Sequence, residues 1–143
     1  MSDKLTLKHV SDEMQGIDIA ILSTRASEGG IACRPMSNNG DVEYDGTSFF
    51  LSYEKASCIS DIERDPKVAL GYSSSGIIGG SVYVAVEGSA ALIRDKSASE
   101  KHWTPDLDVW FVDGVDTPGL VLIQVKAHRI KIWERNEERE LVL

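Results

Sequence analysis

At 143 residues the chain has the size of one compact domain, with 42% hydrophobic residues for a core and an ordinary 27% charged. A net charge of -8 and the lack of any basic stripe argue against nucleic acid, whose phosphates need clustered Lys and Arg, but leave a small phosphorylated ligand open. No apolar run approaches the ~20 residues that cross a bilayer, and Met1-Ser2-Asp3-Lys4-Leu5 lacks a secretory pattern, so no membrane partner and a cytoplasmic location are expected.

In chain order, Asp3 to Gln15 reads as an amphipathic helix carrying Leu7, Val10 and Met14, stopped by Gly16. Period-two alternation from Ile17 to Thr24 marks a strand. After the turn Glu28-Gly29-Gly30 comes a second strand, Ile31 to Ser37. Asn38-Asn39-Gly40 signals a hairpin into a third strand, Thr47 to Tyr53. Ser57, a good N-cap, opens a helix to Arg64 with Ile59 and Ile62 inward, closed by Asp65-Pro66. Strand Lys67 to Ser73, a flexible turn Ser73 to Gly80, and a long strand Ser81 to Ile93 with a bulge at Gly88 follow. Asp95 caps a helix to Trp103; Thr104 to Pro118 is irregular. Strands Leu120 to Lys126 and Arg129 to Trp133 are separated by Ala127-His128, and the tail Glu134 to Glu140 reads as a solvated face. Mostly hairpin-ordered strands with short helices favour an antiparallel barrel, and no Gly-rich dinucleotide or phosphate fingerprint is present.

Cys33 and Cys58 have no metal-type spacing and read as free thiols. His9, His102 and His128 are scattered, with no HxxxH or His/carboxylate cluster, so no metal is expected. Two segments do carry chemistry. Cys33-Arg34-Pro35-Met36-Ser37 and Phe49 through Cys58 together offer a guanidinium, an ammonium, hydroxyls and helix-start amides. Arg grips phosphate bidentately and helix N-termini attract anions, which together would make a phosphate pocket. An Arg on a strand is more often solvated or salt-bridged, however, and a Ser before a helix is more often only a cap. These residues alone do not name a ligand.

Arg34-Pro35-Met36, Phe50-Leu51-Ser52 and Ile62-Glu63-Arg64-Asp65-Pro66-Lys67-Val68-Ala69-Leu70 stand in an order that resembles the pyridoxamine-phosphate-oxidase-like FMN-binding split barrels. Trp103-Thr104-Pro105, Trp110 through Gly114, Pro118 and Ile132-Trp133 resemble the general stress protein branch. The resemblance implies that residues 1–143 form a single, six-stranded antiparallel split β-barrel with short peripheral helices, dimerising to hold FMN between subunits. By that pattern Arg34, Pro35, Met36 and Ser37 line the flavin and its ribityl chain, and Leu51 and Ser52 continue the wall. Ser57 and Cys58 occupy the phosphate-gripping position, Tyr83 lies on the cofactor-facing strand, and Trp110 approaches from the partner subunit. Trp103 and Trp133 are expected at the interface.

Where the family commonly has a phosphate-binding Lys, this chain has Cys58; Lys55 would reach the same phosphate from the loop, and the substitution either weakens FMN binding or makes room for another tail, such as the adenylate of FAD. Cys58, in a first helical turn, reads as a small buried hydrophobe, with a reactive thiol the other reading. The resemblance implies a flavin-dependent oxidoreductase, for example a reductase with a nicotinamide donor. The alternatives are a non-catalytic flavin carrier or sensor and, behind them, haem binding. Pyridoxamine-phosphate oxidation is not expected, because the acidic C-terminal stretch lacks an Arg-His cluster for a second phosphate.

Overall fold

The computed structural model of the chain describes residues 4–40, 42–75 and 80–143. Helix α1 (Leu7–Met14) is followed by strands β1 (Ile19–Arg25), β2 (Ile31–Ser37) and β3 (Thr47–Tyr53), then helix α2 (Ser57–Arg64). Strands β4 (Lys67–Ser75) and β5 (Ser81–Ile93) lead to helix α3 (Lys96–Lys101) and 3-10 turns at Pro105–Val109 and Gly114–Asp116. The chain ends in β6 (Leu120–Glu134) and β7 (Glu137–Val142). All pairing is antiparallel, in the order β2-β1-β4-β5-β6-β3, with β7 added beside β6. The two ends of this order, β2 and β3, touch without forming a ladder, so the sheet curls into a barrel with a split.

Strict alternation drives the closure. Every second side chain of β5, including Val82, Val84 and Val86, turns into the core, where it meets Leu22, Leu70, Phe50, Ile123, Ile130 and Ile132. Helix α1 seals the core with Val10 and Met14, and α2 with Ile59 and Ile62. A second apolar cluster lies outside β3 and β6, where Leu51 and Leu122 pack under Leu107 and Phe111 from the excursion between β5 and β6. That cover explains why β3 is buried on both faces near its end.

Several expectations are corrected. Asn38-Asn39-Gly40 does not join β2 to β3 as a hairpin, because β2 pairs with β1 and β3 with β6. The Asn38 amide donates to the Ile17 carbonyl at 2.8 Å, and the Gly16 N–H donates to the Gly40 carbonyl at 2.9 Å. Gly40 is thereby pressed so close that a Cβ would sit 2.8 Å from the Ile17 oxygen. Ala56, not Ser57, stands at the N-cap of α2 and, having no polar side chain, makes no side-chain cap hydrogen bond. Helix α1 starts at Leu7, with the Thr6 hydroxyl accepting from the His9 N–H; the expected start at Asp3 lies outside the described residues. Strand β4 runs through Ser75, into the expected turn, of which residues 76–79 lie outside the described residues.

The C-terminal tail is not merely a solvated face. It turns at Arg135 and Asn136, both with positive φ (51° and 62°), and returns as a seventh strand. Consecutive left-handed residues match the twist of a two-residue hairpin.

Leu120 to Glu134 is one strand, not two. Its partner β5 shifts register between Glu87 and Gly88, leaving His128 as the extra residue of a bulge. Glycine is required there, since a Cβ on Gly88 would lie 2.4 Å from the Lys126 carbonyl oxygen. Gly88→Ala is expected to destabilise the fold by about 1–3 kcal/mol through forced backbone movement, measured as a lower urea midpoint at unchanged slope.

Candidate functional site

Alternation along β2 sends the expected cofactor residues to opposite sides of the sheet. Arg34 and Met36 point inward; Pro35 and Ser37 point outward. The Arg34 guanidinium donates to the Thr24 hydroxyl at 2.8 Å and to the Leu22 and Ala32 carbonyls at 3.3 Å each. It also lies 3.6 Å from the Asp61 carboxylate. Asp61, buried on α2, accepts from the Thr24 hydroxyl at 2.8 Å and from Arg64 at 2.9 Å. One carboxylate on α2 therefore ties that helix to β1 and β2. Burial alone would raise the Asp61 pKa, but hydrogen bonds from Thr24 and Arg64 and the charges of Arg64 and Arg34 outweigh it, leaving it below the usual range.

On the third strand Leu51 belongs to the outer apolar cluster, whereas Ser52 faces the core and its hydroxyl stands 3.7 Å from the Cys58 sulfur. Cys58 is 3% exposed, so its side chain turns away from the start of α2. Lys55 and Ser57 are exposed there instead, beside first-turn amides without a side-chain cap. Glu54, close by, is engaged by Arg94, which also binds Glu63 at 2.6 Å.

The outward residues of β2 join a larger surface. Register places Pro35, Ile21, Gly71 and Ala85 in one row across β2, β1, β4 and β5, while Ser37 lies opposite Ile19. In the neighbouring row Tyr83 faces Trp133 across β5 and β6. Ile19, Ile21, Tyr83 and Trp133 rim an open depression of about 770 Å³ whose floor includes Gly71 and Ala85. Tyr83 is 52% and Ile21 42% exposed, well above what apolar strand residues need. Trp110 stands on a different part of the surface, 63% exposed between exposed Val109 and Val112, where its carbonyl accepts from the Tyr53 hydroxyl.

The structure thus gathers Pro35, Ser37 and Tyr83 on one outer face and Arg34 with Asp61 inside the barrel wall. Ser52 and Cys58 meet in the core, and Lys55 and Ser57 lie at the helix start. Sequence reasoning missed the face residues Ile19, Ile21 and Gly71, although the apolar outward positions of β1 carried that signal. It also missed Asp61 and Thr24, whose partners are distant in the chain. Trp133, expected at an interface, lies on this exposed face; Trp103 packs edge-on against Phe111 and donates to Asp108. His102 stacks on Phe49 with ring centroids 3.7 Å apart, and burial followed by the Lys101 charge lowers its pKa.

Three comparisons bear on these surfaces. The profile of a family described as pyridoxamine 5'-phosphate oxidase like matches residues 6–143. General stress protein 26 of Bacillus subtilis (strain 168) is 29% identical over 113 residues, 77% of this chain and 79% of that protein. Among solved structures, General Stress Protein 26 from Bacillus anthracis str. Sterne superposes with a TM-score of 0.76 at 23% identity, covering 96% of this chain and 98% of that one. A heme binding protein from Mycobacterium smegmatis superposes with a TM-score of 0.78 at 12% identity, covering 99% of this chain and 60% of that one.

The buried carboxylate sets a pH-dependent test. Asp61→Asn leaves Arg34 without its inward anion and is expected to lower stability by about 2–4 kcal/mol at pH 7. Because the folded pKa is depressed, the contribution of Asp61 is present above the unfolded carboxylate pKa of ~3.9 and is lost as pH falls through the lower folded value. Urea unfolding of both proteins should therefore show a stability gap that is constant above that pH and narrows below it. A gap unchanged across the acid range would contradict the assignment.

Proposed function

The chain belongs to the pyridoxamine 5'-phosphate oxidase-like family, and on that premise we propose that it is a flavin-binding protein of oxidoreductase type that holds FMN between two copies of itself. The observation carrying the reading is the open face of Ile19, Ile21, Pro35, Tyr83 and Trp133. A contiguous apolar patch of that kind on an otherwise acidic surface calls for a cover. A shallow, aromatic-rimmed depression with a Gly-Ala floor suits a large flat ring on one side and leaves the other side to a second chain. Two-fold pairing is the economical closure, since one self-complementary face then completes two sites.

The opposite end of such a ligand is anionic. Lys55 and Ser57 at the start of α2, with its uncapped amides, are the residues that would hold a phosphate. Arg34 and Arg64 share the single carboxylate of Asp61, so that group keeps a net positive charge within an acidic protein. Cys58 adds no exposed surface, and the phosphate grip rests on Lys55; a longer FAD tail is the variant of this reading. The flavin, when bound, supplies the redox chemistry, with a nicotinamide nucleotide as the donor class. The protein's own part is to orient the ring and exclude water.

A second reading, flavin storage or sensing without turnover, is favoured by the sparse ionisable lining of the depression, which offers one carboxylate, Asp18, and the phenols of Tyr72 and Tyr83. Haem ranks behind both. His9 bonds Glu134, His128 bonds Ser89 and His102 is stacked on Phe49, and among the described residues no histidine lines the depression.

Adding FMN to the purified protein and desalting should leave the flavin's visible bands with the protein, near one per chain. Lys55→Ala should weaken retention about five- to tenfold, the worth of one partly solvated charged hydrogen bond. A colourless protein after reconstitution would overturn the reading, and NAD(P)H oxidation above that of free flavin separates enzyme from carrier. Sedimentation tests the shared face: Ile21→Asp should convert a dimer to a monomer and release flavin together, whereas a monomeric wild type would remove the two-chain site.

A further inference from the structure

A second cluster of chemistry lies at α1 and the end of β6, beside the open face. His9 and Glu13 are four residues apart and share one face of that helix. Glu134, the last residue of β6, meets them, with its Oε1 2.5 Å from His9 Nε2. One donor atom from each of the three residues lies within 4.8 Å of the others, and all three side chains are partly buried. Arg139 of β7 donates to the same Glu134 oxygen.

We propose that His9, Glu13 and Glu134 form a binding site for one divalent transition-metal ion of the zinc class, with water completing the coordination. The donor set selects the metal. An imidazole nitrogen with two carboxylate oxygens suits Zn²⁺ and its neighbours, whereas Mg²⁺ and Ca²⁺ favour oxygen-only shells. The spacing lets three donors close on one ion at about 2.0–2.2 Å with small side-chain adjustments. Two carboxylates and a neutral imidazole balance a dication, which leaves the Arg139 guanidinium as the extra positive charge beside the loaded site.

Arg139 sharpens the proposal. Its guanidinium neutralises Glu134 when no metal is bound, so metal and guanidinium compete for one carboxylate. Removing the guanidinium charge therefore tightens metal binding, whereas removing a ligand weakens it. Because the ligands come from α1 and from the strand leading into the β6–β7 hairpin, the ion would tie the N-terminal helix to the C-terminal hairpin and raise thermal stability.

The test uses the full chain in a Cys33→Ser background, which removes the one exposed thiol among the described residues. After chelator treatment, Zn²⁺ is titrated calorimetrically and Co²⁺ by its visible absorption. One equivalent per chain should bind, with a rise in melting temperature. His9→Gln and Glu13→Gln should each weaken binding at least tenfold. Arg139→Gln should strengthen it several-fold, a direction that general loss of structure cannot produce. Glu13→Gln keeps size and helix and so tests the ligand even where His9→Gln loosens α1. No saturable binding up to about 1 mM, or binding indifferent to Glu13→Gln, would overturn the site.

Discussion

The pairing of β5 with β6 is the constraint on which the rest depends. These are the two longest strands, of 13 and 15 residues, and they run together from Ile93 and Leu122 to Tyr83 and Trp133. A ladder of that length would resist closing if it were uninterrupted. The bulge at Gly88 and His128 breaks its register once and increases local twist, which lets the sheet bend around its core. Without a side chain at Gly88 the Lys126 carbonyl approaches to a distance no Cβ would tolerate. β4 and β1 then attach to one side and β3 to the other, bringing β2 and β3 to the split.

Once the sheet is curled, alternation decides the fate of each site residue. Adjacent positions on β2 belong to different environments: Arg34 to a polar network inside the wall, Pro35 to an apolar outer face. The network is closed by Asp61, whose burial is offset by Thr24 and two arginines. It anchors α2 against β1 and leaves Lys55 and Ser57 as the exposed polar groups at the helix start. Among the described residues nothing covers the outer face in the same way. Ile19, Ile21 and Tyr83 stand exposed although equal side chains fill the interior.

The likeness to General Stress Protein 26 from Bacillus anthracis and to a heme binding protein from Mycobacterium smegmatis shows one fold at low identity. Fold alone does not fix function, which is argued from the side chains on the faces of the scaffold. Here those residues are aromatic and aliphatic on the outer sheet and polar at the start of α2, where Lys55 and Ser57 are exposed.

The sequence by itself determined most of the strand and helix positions. Period-two runs at Ile31–Ser37, Thr47–Tyr53 and Ser81–Ile93 and the helical run Ser57–Arg64 coincide with the observed elements, because local alternation and Pro or Gly punctuation act over a few residues. The Gly88 bulge and the Asp95 cap were equally local. Asn38-Asn39-Gly40 misled because turn propensity says where a chain can bend, not which strand it then meets. Ala127-His128 read as a break for a related reason, since a bulge looks like an ending until its partner strand is known. Which way each β2 side chain faces, the binding of Arg34 by Asp61 and the meeting of Glu134 with His9 were decided only in three dimensions. Each depends on segments distant in sequence, and no local pattern encodes the register that brings them together.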